Sequence, residues 1–357
     1  MWIVNNLTGG ESRIFICILI YVDDIILTGN SLPSINRIVG ALNAEFSVKD
    51  LGPLNYFLGI EVVHTDQGLL LLQRKYITDL LNQTHLDAAK PVHTPMATST
   101  HLSRYHGDPH PSPIEYRSIV GALQYLSFTR PGISFSVNKV AQFMQSPTCE
   151  HWSAVKRILR YLKDTLYFGL CLSKPSNLSL SAYSDADWAG CPDDRRSTSG
   201  FCVYLGCNLI SWSSHKQPTV ARSSMEAEYK AIATVASELE WLKSLLSELH
   251  LAPSTPPKLW CDNMGSVYLS LNPVFHARTK HVEIDYHFVR ERVARKALDV
   301  RFISTVDQPA DIFTKPLSLP RFRVLWSKLN VVNTLSLRGL RKSVFSSFSR
   351  KGGRTKS

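Results

Sequence analysis

The feature that most constrains this chain is the order of patterns between residues 178 and 316. Leu178 to Trp188 alternates apolar and polar residues, as a half-buried strand does. Gly200 to Leu205 and Leu209 to Ser213 read as two more strands, so three strands form a meander. A long helical stretch follows, about Ser224 to Leu249. It keeps Ile232, Val235, Ala236, Leu239, Leu242, Leu246 and Leu249 at helical spacing. Pro253, Pro256 and Pro257 end it. A strand at Lys258–Cys261, helical stretches near 264–271 and 279–295, a strand at Asp299–Ser304 and a short helix at 310–316 complete the unit. The order βββαβααβα predicts an α/β fold, a mixed sheet with helices packed on it.

Four acids fall at special places in that unit. Asp185 is mid-strand in YSDADWAG, and Glu228 is in the first turns of the long helix in SSMEAEY. Asp262 ends the next strand in LWCDN, and Asp311 opens the last helix in QPADIFTK. The sheet can bring all four to one rim. Carboxylates at such a rim repel and need counter-ions. Hard oxygen ligands select Mg²⁺, with Mn²⁺ as a substitute. Two such ions can activate a water and stabilise an oxygen leaving phosphorus, so phosphodiester hydrolysis is the expected chemistry. Each acid also has a purely structural role open to it. Asp187 shares a strand face with Asp185, and one of the two is expected to be solvated. Glu226 stands three residues after Ser223, which is capping spacing. Asp262 fits a turn before Asn263, and Asp311 fits a helix N-terminus.

The first half reads differently. RIFICILIYV and IILT are two apolar strands around Asp23-Asp24, so two carboxylates stand at a hairpin tip. A helix is expected at 34–48, a strand at Leu54–Val63, its partner at Leu69–Leu72, and a short helix at Tyr76–Leu81. Residues 91–115 carry Pro91, Pro95, Pro109, Pro111 and Pro113 and read as a linker or extended arm. Helical patterns return at Tyr116–Ser127, Ser136–Gln145 and Trp152–Leu166.

Charge and cysteine usage narrow the function classes. The net charge is +11, yet residues 318–357 hold ten Lys and Arg and no Asp or Glu, leaving about +1 for the rest. That stretch is expected to be a disordered basic tail able to bind nucleic acid non-specifically. Seven scattered cysteines without a CxxC pair signal neither a disulfide framework nor a zinc site, and point to a reducing compartment. The most apolar run, Ile14 to Val22, meets Asp23 at once and is far shorter than the roughly twenty residues a membrane span needs. No signal peptide pattern is present at Met1, and no membrane partner is expected.

The ordered motifs resemble the C-terminal part of the Pol polyprotein of copia-type LTR retrotransposons. YVDDIILTG is similar to the catalytic hairpin of reverse transcriptases. KDLGPLNYFLGIEV, QRKYITDLL and KPVHTPM resemble the segments after it, and YRSIVGALQYLSFTRPGISF onward resembles the thumb and connection. SDADWAGCPDDRRSTSGFCVYLG, ISWSSHKQPTVARSSMEAEY, LWCDN, HARTKHVEIDYHFVRERV and QPADIFTKPL resemble its ribonuclease H domain. The resemblance covers about residues 13–317.

The resemblance implies a ribonuclease H-like mixed sheet preceded by a truncated reverse-transcriptase palm and a helical thumb and connection. The implied division is palm and start of thumb at 1–90, linker and helices at 91–167, ribonuclease H-like domain at 168–317 and tail at 318–357. It makes Asp185, Glu228, Asp262 and Asp311 the catalytic, metal-binding acids, with Asp185 preferred to Asp187 and Glu228 to Glu226. The implied partner is an RNA–DNA hybrid whose RNA strand is cut, and Arg195, Arg196, Lys216, Arg278 and Lys280 flank the acidic motifs as phosphate contacts. Packing is the expected role of Trp188 and Trp212, and helix surface or packing that of His276, His281 and His287. Cellular ribonucleases H usually carry a histidine before the last aspartate, whereas Ser304 to Asp307 has none, so product release is expected to use another group or to be slower. Family members use a palm aspartate upstream of the YVDD pair. Asp23 and Asp24 are therefore read as an orphaned polymerase metal half-site, with no polymerisation expected from this chain alone. The alternative is a non-catalytic remnant that binds nucleic acid through its tail. By family inference the location is a cytoplasmic particle, the nucleus, or both.

Overall fold

A computed structural model of the chain describes residues 2–7, 14–272, 283–334 and 346–350. Three five-stranded sheets organise it. In the first, β1 (Trp2–Leu7), β2 (Ile14–Tyr21) and β3 (Asp24–Gly29) are antiparallel neighbours, and β4 (Val48–Asp50) joins through β15 (Ser346–Arg350). Helix α1 (Leu32–Glu45) starts where the Ser31 hydroxyl accepts the Ser34 N–H, and buries Ile35 against Leu27.

The second sheet runs β5 (Tyr56–Phe57), β6 (Ile60–Thr65) and β7 (Gly68–Leu72), then β8 (Phe168–Ser173) and β14 (Val331–Asn333). The strand expected over Leu54–Val63 is broken at Leu58–Gly59, both of positive φ, which turns β5 back against β6. Strand β8 falls within 168–317, the stretch assigned to the ribonuclease H-like unit. It pairs instead with β7 of this sheet, Leu71 opposite Leu170. Helices α2 (Arg74–Gln83), α3 (Pro113–Leu126), α4 (Ser134–Ala141) and α5 (Cys149–Asp164) pack together beside it.

The third sheet holds β9 (Leu180–Asp187), β10 (Thr198–Leu205), β11 (Asn208–Lys216), β12 (Lys258–Cys261) and β13 (Asp299–Phe302), in the order β11–β10–β9–β12–β13. The first three are antiparallel, and β12 runs parallel to both β9 and β13. Helices α6 (Ser224–Glu248), α7 (Met264–Leu271) and α8 (Glu283–Ala294) connect them. The expected mixed sheet with packed helices is therefore present, in the predicted element order.

The alternation of β10 explains how this sheet joins the rest. Phe201 and Val203 face α6, where Tyr229, Ile232, Val235, Ala236, Leu239 and Leu246 bury their side chains. Cys202 points the other way, into a core shared with Tyr116, Leu123, Val155, Ile158 and Leu162 of the helical region. Residues 309–313 form a 3₁₀ turn whose Ile312 and Phe313 enter that same core. The extended arm is fastened too. The Ser103 hydroxyl donates to Asp193 at 2.5 Å and the Arg104 N–H to the same carboxylate at 3.1 Å.

The region expected to be a disordered tail starts with ordered structure. Helix α9 (Leu319–Trp326) places Phe322 and Leu325 in the shared core, and Leu329 and Val331 follow them. Its apolar positions recur at helical spacing, which offsets its basic composition. Burying a leucine that makes such contacts is worth about 2–5 kcal/mol against alanine. Leu325→Ala should therefore lower stability by about 2–5 kcal/mol in urea unfolding of the full chain. A change within about 0.5 kcal/mol would be that of a solvated surface.

Candidate metal centre

The four acids reach one place by four different local routes. Asp185 sits near the end of β9, a strand buried on both faces there, and is 3% exposed. Glu228 lies one turn into α6. The Ser223 hydroxyl caps that helix by accepting the Glu226 N–H at 3.2 Å, and Glu226 accepts the Arg222 N–H at 2.7 Å and pairs with Lys230 at 2.7 Å. The Ser223 hydroxyl is thus the cap, the Glu226 carboxylate serves Arg222 and Lys230, and Glu228 is left facing the sheet. Asp262 follows the last residue of β12, and Asp311 sits in the 3₁₀ turn after β13.

Glycine at position 200 makes the last approach possible. Gly200 is the residue opposite Asp185 in the β9–β10 pairing. A Cβ there would stand 2.5 Å from Phe313 Cβ and 2.8 Å from Thr314 Cγ2. Without it the 309–313 turn lies directly on the sheet, and Asp311 comes beside Asp185.

Ligand oxygens of Asp185, Asp262 and Asp311 lie within 4.8 Å of one another. A second set shares Asp262: Glu228, Cys261 and Asp262 also offer ligand atoms within 4.8 Å. Asp262, the most exposed of the four, accepts the Thr305 hydroxyl at 2.8 Å and the Gln308 amide at 3.4 Å. Gln308 also donates to the Ser184 carbonyl at 2.9 Å, which ties the 304–308 segment to β9.

Burial makes this gathering expensive, and the chain supplies cations to offset it. Lys315 Nζ is 2.8 Å from Asp311 and 3.6 Å from Asp185, and Arg321 Nη2 is 3.1 Å from the other oxygen of Asp311. Thr314 donates its hydroxyl to Asp185. Burial pushes the Asp185 carboxyl up to about 6; Lys315 opposes that rise, and Asp311 and Asp262 add to it. Burial, with Asp185 and Asp262 as neighbours, also raises Glu228 well above the carboxylate range. Burial works against the charge on Lys315, but Asp185 and Asp311 outweigh it and hold the ammonium above its ordinary value.

The other singled-out residues divide. Arg195 is exposed in the β9–β10 loop with φ of 58°, free of the sheet. Arg196 pairs with Asp194 at 3.7 Å. Lys216 is turned into the same loop, 2.8 Å from Asp194 and 3.0 Å from Cys191 Sγ. Trp212 packs as expected and donates to the Ser127 carbonyl at 3.0 Å. Trp188, also expected to be packed, is instead half exposed, its indole N–H bonded to the Ala221 carbonyl at 3.0 Å. Asp187 is not freely solvated: burial raises its carboxyl, with Lys139, Lys315 and Arg195 opposing the rise. Arg278, Lys280, His276 and His281 lie outside the described residues. His287 makes an edge contact with Tyr286. Asp23 is exposed at its hairpin tip, and among the described residues neither it nor Asp24 belongs to a three-ligand group.

Residues 6–98 match the family model of reverse transcriptase (RNA-dependent DNA polymerase). The chain is 53% identical over 322 residues to the retrovirus-related Pol polyprotein from transposon RE2 of Arabidopsis thaliana, covering 90% of this chain. It is 32% identical over 228 residues to a putative transposon Ty5-1 protein of Saccharomyces cerevisiae, covering 63% of this chain and 74% of that protein. The chain belongs to the copia-type retrotransposon Pol family. This Pol chain spans 22% of the length of the RE2 polyprotein. Among solved structures, the foamy viral protease-reverse transcriptase in complex with RNA/DNA hybrid is similar, with 14% identity, a TM-score of 0.47, and coverage of 84% of this chain and 37% of that one.

Lys315 and Arg321 were not singled out by sequence. Lys315 stands four residues after Asp311, the spacing of a helical ion pair, while Arg321 lies in the stretch read as tail. The raised Asp185 means the fold holds its proton more tightly than the unfolded chain, whose value is near 3.8. The resulting stabilisation is full below that pH and is lost as pH rises through about 6. Lys315 limits that loss. Lys315→Gln should therefore lower the melting temperature of the metal-free Pol chain by about 2 °C at pH 7.5, allowing for the partial exposure of Lys315. At pH 5, where Asp185 is mostly protonated, the difference should shrink. An equal effect at both pH values would contradict this pairing.

Proposed function

We propose that this chain hydrolyses the RNA strand of RNA–DNA hybrids at a site made of Asp185, Glu228, Asp262 and Asp311. The observation that carries the proposal is the meeting of Asp185, Asp262 and Asp311 within 4.8 Å, with Glu228 joined to the group through Asp262. The donor set suits divalent cations of the Mg²⁺ and Mn²⁺ kind. All its donor atoms are hard carboxylate oxygens, the kind such ions select. Bound there, such ions would activate a water and stabilise the oxygen leaving phosphorus.

The chain's own residues do the rest. The sheet and the 3₁₀ turn hold the carboxylates in place before any ion arrives, so ligand ordering adds little cost to binding. Thr305 and Gln308 orient Asp262, and Thr314 orients Asp185. Lys315 and Arg321 hold the Asp311 carboxylate between them. Arg195, on its exposed loop, offers a phosphate contact to the hybrid, read through backbone shape rather than base sequence. Lys216 is spent on Asp194, so its part is to shape that loop. The reading assigns no polymerase step to Asp23 and Asp24.

Full-length chain is the right material for the test, because α3–α5 and α9 share a core with the third sheet. Incubated with an end-labelled RNA–DNA hybrid and Mg²⁺ or Mn²⁺, it should cut only the RNA strand. Asp262→Asn should reduce the rate on the order of 100-fold or more while leaving the fold intact. Hybrid left whole by folded wild-type protein with either ion would refute the proposal.

A further inference from the structure

Arg130 is a buried cation for which the chain supplies no acid. It is 4% exposed, and among the described residues no carboxylate pairs with it. Its Nη2 donates to the Leu166 carbonyl at 3.4 Å, and its Nε has no acceptor among the described residues. Burial pulls the guanidinium down to about 10, with Tyr161 opposing the fall, so the charge is still carried at neutral pH. An unpaired charge in a packed interior is costly to keep. Arg130 also lines a cavity, together with Gly132, Ile133, Tyr161, Trp326 and Val331. Tyr161 comes from α5, and the Trp326 indole N–H from α9 is directed at its hydroxyl oxygen. That oxygen accepts from the indole, so its own proton is available to a second partner. Gly132 makes room for the indole, since a Cβ there would stand 3.0 Å from Trp326 Cδ1. The cavity measures ≈ 10 Å³, room for one particle of about the size of a water. Its lining holds a full positive charge and hydrogen-bond donors, and no acid. A water there would give the donors an acceptor but leave the charge uncompensated. An anion does both, and attraction between unit charges is several-fold stronger in a low-dielectric interior than in water.

We propose that the cavity among Arg130, Tyr161 and Trp326 binds one small monovalent anion of the halide class. Arg130 supplies the opposite charge, Tyr161 an O–H donor, and Trp326 the wall that α9 closes over the site. Sulfate, phosphate and carboxylates are excluded by size. The site shares no residue with the four acids and does not depend on hydrolysis. Its anion would fasten α5, α9 and the turn before α4 to one another, and α9 is the helix that carries Arg321 to Asp311.

The test uses full-length chain in sodium gluconate, into which sodium chloride is exchanged at constant ionic strength while the melting temperature is followed. An anion held only by the folded chain raises that temperature as its concentration passes the dissociation constant. The expected rise for wild type is about 2 °C for each further tenfold increase in chloride. Arg130→Met, which replaces the charged group by an apolar one, should show none of it. Tyr161→Phe, which keeps the ring in its core, should need at least about tenfold more chloride for the same rise. General salt effects are common to the three proteins, so the differences among them are the readout. A wild-type response no larger than that of Arg130→Met would mean that a water alone fills the cavity, and would overturn the proposal. A Tyr161→Phe response equal to that of wild type would overturn it as well, and that comparison decides alone should Arg130→Met fail to fold.

Discussion

The whole arrangement depends on holding the carboxylates of Asp185 and Asp311 side by side inside the protein. Each is 3% exposed, and Asp311 adds to the cost of ionising Asp185. A buried charge without a partner would neutralise or unfold its surroundings. Here Lys315 lies against both carboxylates and Arg321 against one, so two cations of the chain stand with the acids that divalent ions would otherwise have to neutralise alone. Arg321 also donates to the carbonyls of Thr305 and Val306, which anchors it in the segment that leads into Asp311.

That dependence explains why the third sheet is not an independent module. Arg321 is delivered by α9, and α9 is seated by Phe322 and Leu325 in a core shared with α3, α4 and α5. The 3₁₀ turn that carries Asp311 uses Ile312 and Phe313 for the same core. The acidic cluster and the helical region are therefore coupled through one hydrophobic cluster. β8 and β14 extend the coupling to the second sheet, where both pair although they flank the third sheet in sequence.

The third sheet was largely legible from the chain. Period-2 alternation over Leu178–Trp188 and the helical spacing after Ser224 are strong local signals, and element order then fixes which strands neighbour which. The four acids stood out at special places in that pattern, and the family resemblance preferred Asp185 to Asp187 and Glu228 to Glu226. What escaped the sequence depended on distant partners. β8 alternates like any strand, and nothing local says which sheet it joins. α9 was hidden by its basic residues, because composition is a poor guide when two apolar residues, Phe322 and Leu325, do the packing. Gly200 reads as an ordinary strand glycine until Phe313 is seen pressed against it. The inward turn of Lys216 is set by Asp194 in the loop at 190–196, a loop also tied by Asp193 to Ser103 far away in sequence, and Trp188 is held through Ala221.

The central claim is that these acids form one preassembled centre for divalent ions. Mn²⁺ titration of the full-length chain, with free Mn²⁺ followed by electron paramagnetic resonance, tests it without reference to turnover. The account predicts that wild-type protein removes the free-ion signal, and that Asp185→Asn and Asp262→Asn each do so far less. Undiminished free Mn²⁺ in the presence of folded wild-type protein, or equal uptake by both variants, would contradict it.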